Sequence, residues 1–293
     1  MESRAAEEIK KIGIEDKNYP EILRQIKSPP KIIYFKGEIK PKELAVAIVG
    51  TRRCSPYGKQ VALEIAGGLA EAGLTIVSGL APGVDTFSHK AAVERKKRTI
   101  AVLGTGIDEK SIYPRENVGL AKKIVELGGC VISEYPPGTQ GTNFTFPQRN
   151  RIISGLSQAV AVIEAKEKSG SLITANYAIK QGKKLFAVPG PIHSLNSRGT
   201  HLLIKKGAKL LDNFTDILQE LDLFDFSART KNELLAGTPE EIMILETLKE
   251  GSLYIDNIIE KTRLNAAKAA SAITTLEVNG KIRNLGGNVY AKI

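Results

Sequence analysis

From residue 44 onward the sequence repeats one unit: a short β-branched, apolar run, then glycine or serine, then a stretch whose apolar positions recur with a period near 3.6. The runs are A-V-A-I-V-G (45–50), L-T-I-V-S-G (74–79), T-I-A-V-L-G (99–104), G-C-V-I-S-E (129–134), A-V-A-V-I-E (159–164) and K-L-F-A-V-P-G (184–190). Helices are expected between them, near 58–72, 85–95, 116–127, 147–155 and 171–181. Strands apolar on both faces must be covered on both faces, and the intervening helices are what cover them. The expected fold is therefore α/β: an extended, Rossmann-like, doubly wound and mostly parallel sheet. Strand order is not readable from this pattern.

Flanking segments complete the organisation. Residues 1–40 end in P-E-I-L-R-Q-I-K-S-P-P-K-I-I-Y-F-K-G and read as a helix and an edge strand leading into a Rossmann-like domain at 41–225. A short helix near 199–206, a strand at 208–211 and the helix N-F-T-D-I-L-Q-E-L close that domain, and the polar stretch 226–237 reads as a linker. Thr238, Pro239, Glu240 and Glu241 then open a helix with an N-cap, a first-turn proline and acids at the positive dipole end. Three helices and a hairpin over 238–293 outline a winged helix.

The chain has 293 residues, 42% of them apolar, enough for one large core and one small one. No apolar run approaches the roughly 18 residues of a membrane span, and the N-terminus lacks the order of a signal peptide. A cytoplasmic protein without membrane attachment is expected. Two cysteines, Cys54 and Cys130, are too few for a disulfide framework, and His89, His193 and His201 are too scattered for a metal site. The formal net charge of +10 favours an anionic partner. Residues 238–293 carry seven bases and seven acids, whereas residues 1–211 carry 33 bases against 19 acids, a net +14. The anion-binding surface is therefore expected on the large domain.

In an open parallel sheet, ligands bind beyond the carboxyl ends of the strands. The loop G-T-R-R-C-S-P-Y-G (50–58) offers a tight glycine turn, a helix N-terminus and the charges of Arg52 and Arg53. The loop S-G-L-A-P-G-V-D (78–85) contains Gly79 and leads into a helix with Asp85 and His89 on one face; capping explains the Asp better than acid–base work. The loop from 104 begins G-T-G, but Glu109 stands where a dinucleotide fingerprint needs its third glycine, and no Walker lysine motif occurs. The loop E-A-K-E-K-S-G-S-L-I-T-A (164–175) presents Ser169 and Ser171 at a helix N-terminus, suited to phosphate or to ordinary capping. The segment F-P-Q-R-N-R-I-I-S-G-L (146–156) sets Phe146, Arg149, Asn150 and Arg151 together, fit for phosphates and bases or for structural ion pairs. The basic run 95–98 precedes a strand, at the opposite sheet edge, and reads as a solvated face. No nucleophile–base–acid order or paired carboxylates stand out, which favours a binding protein over an enzyme, and no cofactor is called for.

Nine strings in order, V-A-I-V-G-T-R, I-V-S-G-L-A-P-G-V-D-T-F-S-H, T-I-A-V-L-G-T-G-I-D, Y-P-R-E-N, V-I-S-E-Y-P-P-G-T, F-P-Q-R-N-R-I-I-S-G-L, E-K-S-G-S-L-I-T-A, F-A-V-P-G and L-I-K-K-G-A, resemble the DNA-processing protein A family (DprA, also called Smf). The resemblance runs from about Tyr19 to Leu211, and the winged helix resembles that family's last domain. It implies a cytoplasmic bacterial homodimer, joined through the Rossmann domain, that binds and protects single-stranded DNA and loads the RecA recombinase during natural transformation. By motif, Arg52 is the first expected phosphate contact. Arg115 and Asn117 of Y-P-R-E-N, Phe146 as a stacking face, and Arg149 and Arg151 follow. Thr51 stands where the family has Ser, Ser88 where it has Ala, and Lys96, Lys97 and Arg98 replace a Gly-rich turn. The family's N-terminal helical domain is mostly absent.

The expected recognition helix, N-A-A-K-A-A-S-A-I-T-T-L-E, offers one lysine on a neutral domain, so protein contact or regulation is expected of it rather than duplex binding. The rival reading is a Rossmann-fold nucleotide-processing enzyme of the phosphoribohydrolase kind. Its P-G-G-x-G-T-x-x-E loop is here S-G-S-L-I-T-A-N, without the glutamate. A ligand-sensing winged-helix regulator is the third reading, disfavoured by the same neutral helix.

Overall fold

A computed structural model describes residues 8–223, 238–278 and 281–292. The chain divides into two compact units, Met1–Ser227 and Ala228–Ile293. The stretch read as a linker, 226–237, lies outside the described residues.

The first unit is built on a nine-stranded sheet: β1 (Lys10–Gly13), β2 (Ile32–Gly37), β3 (Ala45–Val49), β4 (Thr75–Ser78), β5 (Thr99–Leu103), β6 (Cys130–Ser133), β7 (Ala159–Val162), β8 (Lys184–Ala187) and β9 (Lys209–Leu210). Their order is β1-β2-β6-β5-β4-β3-β7-β8-β9, antiparallel at β1/β2 and β2/β6 and parallel elsewhere. Each strand's alternation feeds two cores. Ala45, Ala47 and Val49 of β3 face one, with Val160 and Val162 of β7, while Val46 and Ile48 face the other, with Ala159 and Ala161. Against the first face pack α1 (Glu21–Arg24), α5 (Thr145–Gly155), α6 (Gly170–Lys180) and α7 (Arg198–Lys205), through Leu23, Ile152, Ala175 and Leu203. Against the other pack α2 (Pro56–Glu71), α3 (Val84–Glu94), α4 (Val118–Glu126) and α8 (Phe214–Glu220), through Ile65, Ala91, Ile124 and Ile217.

This order supplies what the sequence pattern withheld. The chain runs β3, β4, β5, β6 to one side and then crosses back to place β7 on the other side of β3. The crevice where such a sheet reverses direction lies at the carboxyl ends of β3 and β7. Val49 and Val162 end the two strands in register, and the backbones of the loops that leave them separate after one last main-chain bond, Thr51 N–H to Glu164 O at 2.8 Å.

Two expectations are corrected. The N-terminal segment contributes two strands and one helical turn, because Pro20 and the Ser28-Pro29-Pro30 stretch leave little room for a helix; the edge strand is β1, and I-I-Y-F-K-G lies inside it. The basic run before β5 is also not simply solvated. Arg98 pairs with Glu43 and donates to Glu38 O at 2.8 Å, tying loops at the amino edge of the sheet, and Arg95 Nε reaches Glu71 at 2.9 Å, tying the end of α3 to the end of α2.

The second unit holds α9 (Pro239–Thr247), β10 (Leu253–Tyr254), α10 (Ile255–Thr262), α11 (Ala266–Val278), β11 (Ile282–Asn284) and β12 (Val289–Lys292). Its sheet has the order β10-β12-β11. Ile244, Ile258, Ile273, Leu276 and Tyr290 form its own core, giving the winged-helix outline. Lys268, the lysine of α11, is held by Glu240 at 3.0 Å.

Candidate nucleic-acid interface

At the β3/β7 switch point lies a groove of about 720 Å³. Its walls come mostly from four segments, with Ala81 and Asp85 after β4 adding a fifth. From the β3 loop come Thr51, Arg52 and Arg53; from the loop after β5 come Ser111 and Tyr113; from residues 140–150 come Gln140, Asn143, Phe146, Arg149 and Asn150; from the β7 loop come Lys166, Lys168, Ser169 and Ser171. Arg52, Arg53, Lys166 and Lys168 are exposed, and among the described residues none of them pairs with a carboxylate.

Local chemistry sets each of these positions. Ser55 caps α2 by accepting from Gly58 N–H at 3.0 Å, with Pro56 in the first turn, so α2 starts directly after the arginines. The acid that begins the β7 loop, behind this wall, is occupied. Glu164 is buried and accepts from Ser55 N–H at 2.8 Å, Ser55 Oγ at 2.6 Å and Asn196 Nδ2 at 3.3 Å, so it pins loops together instead of facing an incoming anion. Gly83 has φ +79° and passes so close that a Cβ there would lie 2.4 Å from Thr51 O; only glycine allows this buttress beneath the Arg52 loop. Ser169 is the N-cap of α6, accepting weakly from Ser171 N–H at 3.4 Å, while the two hydroxyls share a bond at 2.8 Å.

An aromatic pair stands beside the cations. The Arg52 guanidinium lies 5.3 Å from the centre of the half-buried Phe146 ring, and Tyr113, 50% exposed, packs on that ring at 5.8 Å with a 52° tilt. Gly104 and Gly141 leave room for the Phe146 ring, since a Cβ on either would meet it at 2.8 or 2.5 Å. Phe144, two residues earlier, is 84% exposed.

The other residues expected at the site divide sharply. Arg149 reaches the groove wall but is only 4% exposed, and donates to Gly79 O at 2.7 Å, to Val102 O and to Asn150 Oδ1 at 3.2 Å. Burial pulls its pKa down to about 10 against the opposing pull of Asp85, and leaves it protonated at neutral pH. Asn150 is buried and donates to Gly170 O at 3.2 Å, fixing the start of α6. Arg151 is outside the groove lining and pairs with Glu134, the ion pair that the sequence left open. Burial holds the Glu134 carboxyl above its ordinary range even with Arg151 beside it. Asn117 is buried too, donating to Leu80 O at 2.8 Å and Thr86 Oγ1 at 2.7 Å. Arg115 is exposed outside the lining and donates to Glu109 O at 2.7 Å, and Gly79 is buried beneath the wall. Thus Arg52, Arg53, Phe146, Arg149, Asn150, Ser169 and Ser171 converge on the groove, while Gly79, Arg115, Asn117 and Arg151 do not. Lys166, Lys168 and Tyr113 were not singled out from sequence, although each sits in a loop following a strand, the one signal that could have found them.

Fold and groove together define a doubly wound α/β protein with a cationic, aromatic-lined switch point, followed by a winged helix. Residues 10–222 match the family described as DNA recombination-mediator protein A, and residues 228–288 match the DprA winged helix domain. The chain is 44% identical over 215 residues to the DNA processing protein DprA of Bacillus subtilis, covering 73% of this chain and 71% of that one. It is 43% identical over 224 residues to that of Streptococcus pneumoniae, covering 75% and 77%. The X-ray structure of the Streptococcus pneumoniae protein aligns with a TM-score of 0.68 at 42% identity, covering 74% of this chain and 76% of the other. A Helicobacter pylori DNA processing protein A structure, described for its single-stranded DNA binding mode, aligns with a TM-score of 0.64 at 34% identity over 72% of this chain and 95% of that one. The chain belongs to the DNA recombination-mediator protein A family, DprA or Smf.

Proposed function

We propose that this chain binds single-stranded DNA in the switch-point groove, as a mediator of recombination during DNA uptake and without catalytic turnover. The observation that carries the reading is the set of four exposed cations, Arg52, Arg53, Lys166 and Lys168, none paired with a carboxylate among the described residues, in the groove that also holds the Phe146–Tyr113 pair. Cations neutralise phosphates, and aromatic rings take unstacked bases, each base contributing roughly 1 to 3 kcal/mol. A duplex keeps its bases stacked away from such rings, so the pairing of the two features favours a single strand. The binding mode described for the Helicobacter pylori relative supports the same reading. Among the described residues no helix is long and apolar enough to cross a membrane. Delivery of the bound strand to RecA, a homodimer through the Rossmann domain and a cytoplasmic location belong to this proposal, as does a protein-contact role for the winged helix, whose Lys268 is already engaged by Glu240.

The nucleotide-processing alternative needs a carboxylate free for chemistry. The acid that lines the groove, Asp85, is engaged instead by the amides of Gly79 and Ala81, and Glu164 behind the wall by three donors. Fluorescence anisotropy with a labelled single-stranded oligonucleotide, against single-stranded and duplex competitors, tests the proposal. Preferential competition by the single strand is expected. Equal competition by duplex, or base release from nucleoside monophosphates, would overturn it.

A further inference from the structure

We propose that Arg149 is a positioning residue of the groove: with Asp85 it clamps the 79–83 loop, which in turn holds the Arg52 loop, and it makes no phosphate contact of its own. This inference rests on the single-strand reading above.

The clamp closes on Gly79 from two sides. Asp85 Oδ2 accepts from Gly79 N–H at 3.1 Å and from Ala81 N–H at 3.4 Å, while Arg149 Nη1 donates to Gly79 O at 2.7 Å and to Val102 O. The carboxyl ends of β4 and β5 are thereby tied to α5 through one guanidinium. Its Nε is taken by Asn150 at 3.2 Å, and its Nη2 crowds the α-carbon of Gly79 together with Asp85 Oδ2. A Cβ on Gly79 would lie 2.6 Å from that oxygen and 2.7 Å from that nitrogen, so the glycine is required by the clamp. From Gly79 the loop runs to Gly83 and Val84, whose N–H donates to Thr51 O at 3.3 Å, one residue before Arg52. A side chain buried to this degree and directed at carbonyls is poorly disposed to meet a phosphate. Burying Arg149 also requires a countercharge, and Asp85, itself buried, supplies it.

Direct contact and positioning differ in a measurable way. Each phosphate contact to a single strand contributes about 0.7 to the slope of log K against log salt, whereas a residue that only shapes the site changes affinity at constant slope. The test is a salt series with a labelled single-stranded oligonucleotide for wild type, Arg149→Met, Gly79→Ala and Arg52→Ala. Arg149→Met is expected to bind at least tenfold more weakly with the wild-type slope, and Gly79→Ala, which keeps every charge, should show the same signature. Gly79→Ala carries the test alone where Arg149→Met does not fold. A slope reduced by about 0.7 in Arg149→Met, or wild-type affinity in a folded Gly79→Ala protein, would overturn the clamp. Failure of the wild type to bind, or an unchanged slope in Arg52→Ala, would instead overturn the single-strand reading.

Discussion

Replacing Arg151 by methionine isolates the second arginine of the R-N-R segment. Arg151 and Glu134 are nearly buried, with side-chain exposures of 11% and 13%; Arg151 pairs with Glu134 Oε2, and Oε1 has no hydrogen-bond partner among the described residues. Removing the guanidinium strands a buried carboxylate, a change that typically destabilises by about 3 to 5 kcal/mol. At roughly 2 to 4 °C per kcal/mol for a domain of this size, the midpoint should fall by roughly 10 °C or somewhat more. The loss should depend on pH, with a definite sign. Glu134 already binds its proton more tightly in the folded state than in the unfolded one, since burial outweighs Arg151. Without Arg151 that preference grows, and a carboxyl raised on folding loses stability as pH rises above its unfolded value. Thermal unfolding of wild type and Arg151→Met at pH 5 and pH 7.5 should therefore show a larger difference at pH 7.5. An equal difference at both values, or one below about 1 kcal/mol, would refute the assignment of Arg151 to an ion pair in the fold.

Other expectations follow from the same geometry. Gly83→Ala should weaken oligonucleotide binding at least as much as Arg52→Ala, because a Cβ at φ +79° collides with Thr51 O; unchanged affinity by anisotropy would count against the buttress. Phe146→Ala should lower single-strand affinity by about 1 to 3 kcal/mol while leaving the salt slope nearly unchanged, as expected for stacking and for a ring that only orients Arg52. His89 is held neutral by burial, its pKa down to about 3, so the unfolded chain takes up a proton that the native one refuses. Stability should then fall as pH drops below about 6.5, by up to roughly 1.4 kcal/mol per unit, and His89→Gln should flatten that slope in urea titrations. The 238–293 fragment should not bind duplex DNA with sub-micromolar affinity at physiological salt, since its α11 lysine is already paired with Glu240.

The repeating strands and helices between residues 45 and 190 were legible because each has a period the sequence displays, as was the Thr238–Pro239 helix start of the second unit, whereas the Ser55–Pro56 start of α2 was not read. Strand order was not, since it depends on where the chain crosses back to set β7 beside β3, a long-range choice no local pattern encodes. The groove was half legible. Arg52 and Arg53 follow a strand and are exposed, as charge and position require. Arg149 and Arg151 carry the same charge in a similarly placed segment, yet their acceptors, Gly79 O, Val102 O and Glu134, come from other loops and strands. A basic residue read alone is taken as a surface group, and only tertiary partners reveal it as a buried tie. Lys166 and Lys168 were passed over for the opposite reason: alternating with Glu164 and Glu167, they look neutralised in sequence, while Glu164 in fact turns inward to Ser55 and Asn196.

The central claim is that the four cations at the switch point hold the phosphates of a single strand. At about 0.7 per phosphate, four contacts predict a slope of log K against log salt near −2.8 for the wild-type chain on a single-stranded oligonucleotide. Arg52→Ala should flatten it by about 0.7, and replacing Arg52, Arg53, Lys166 and Lys168 together should bring it close to zero in a protein that still unfolds cooperatively. A wild-type slope that survives the fourfold replacement would contradict the account.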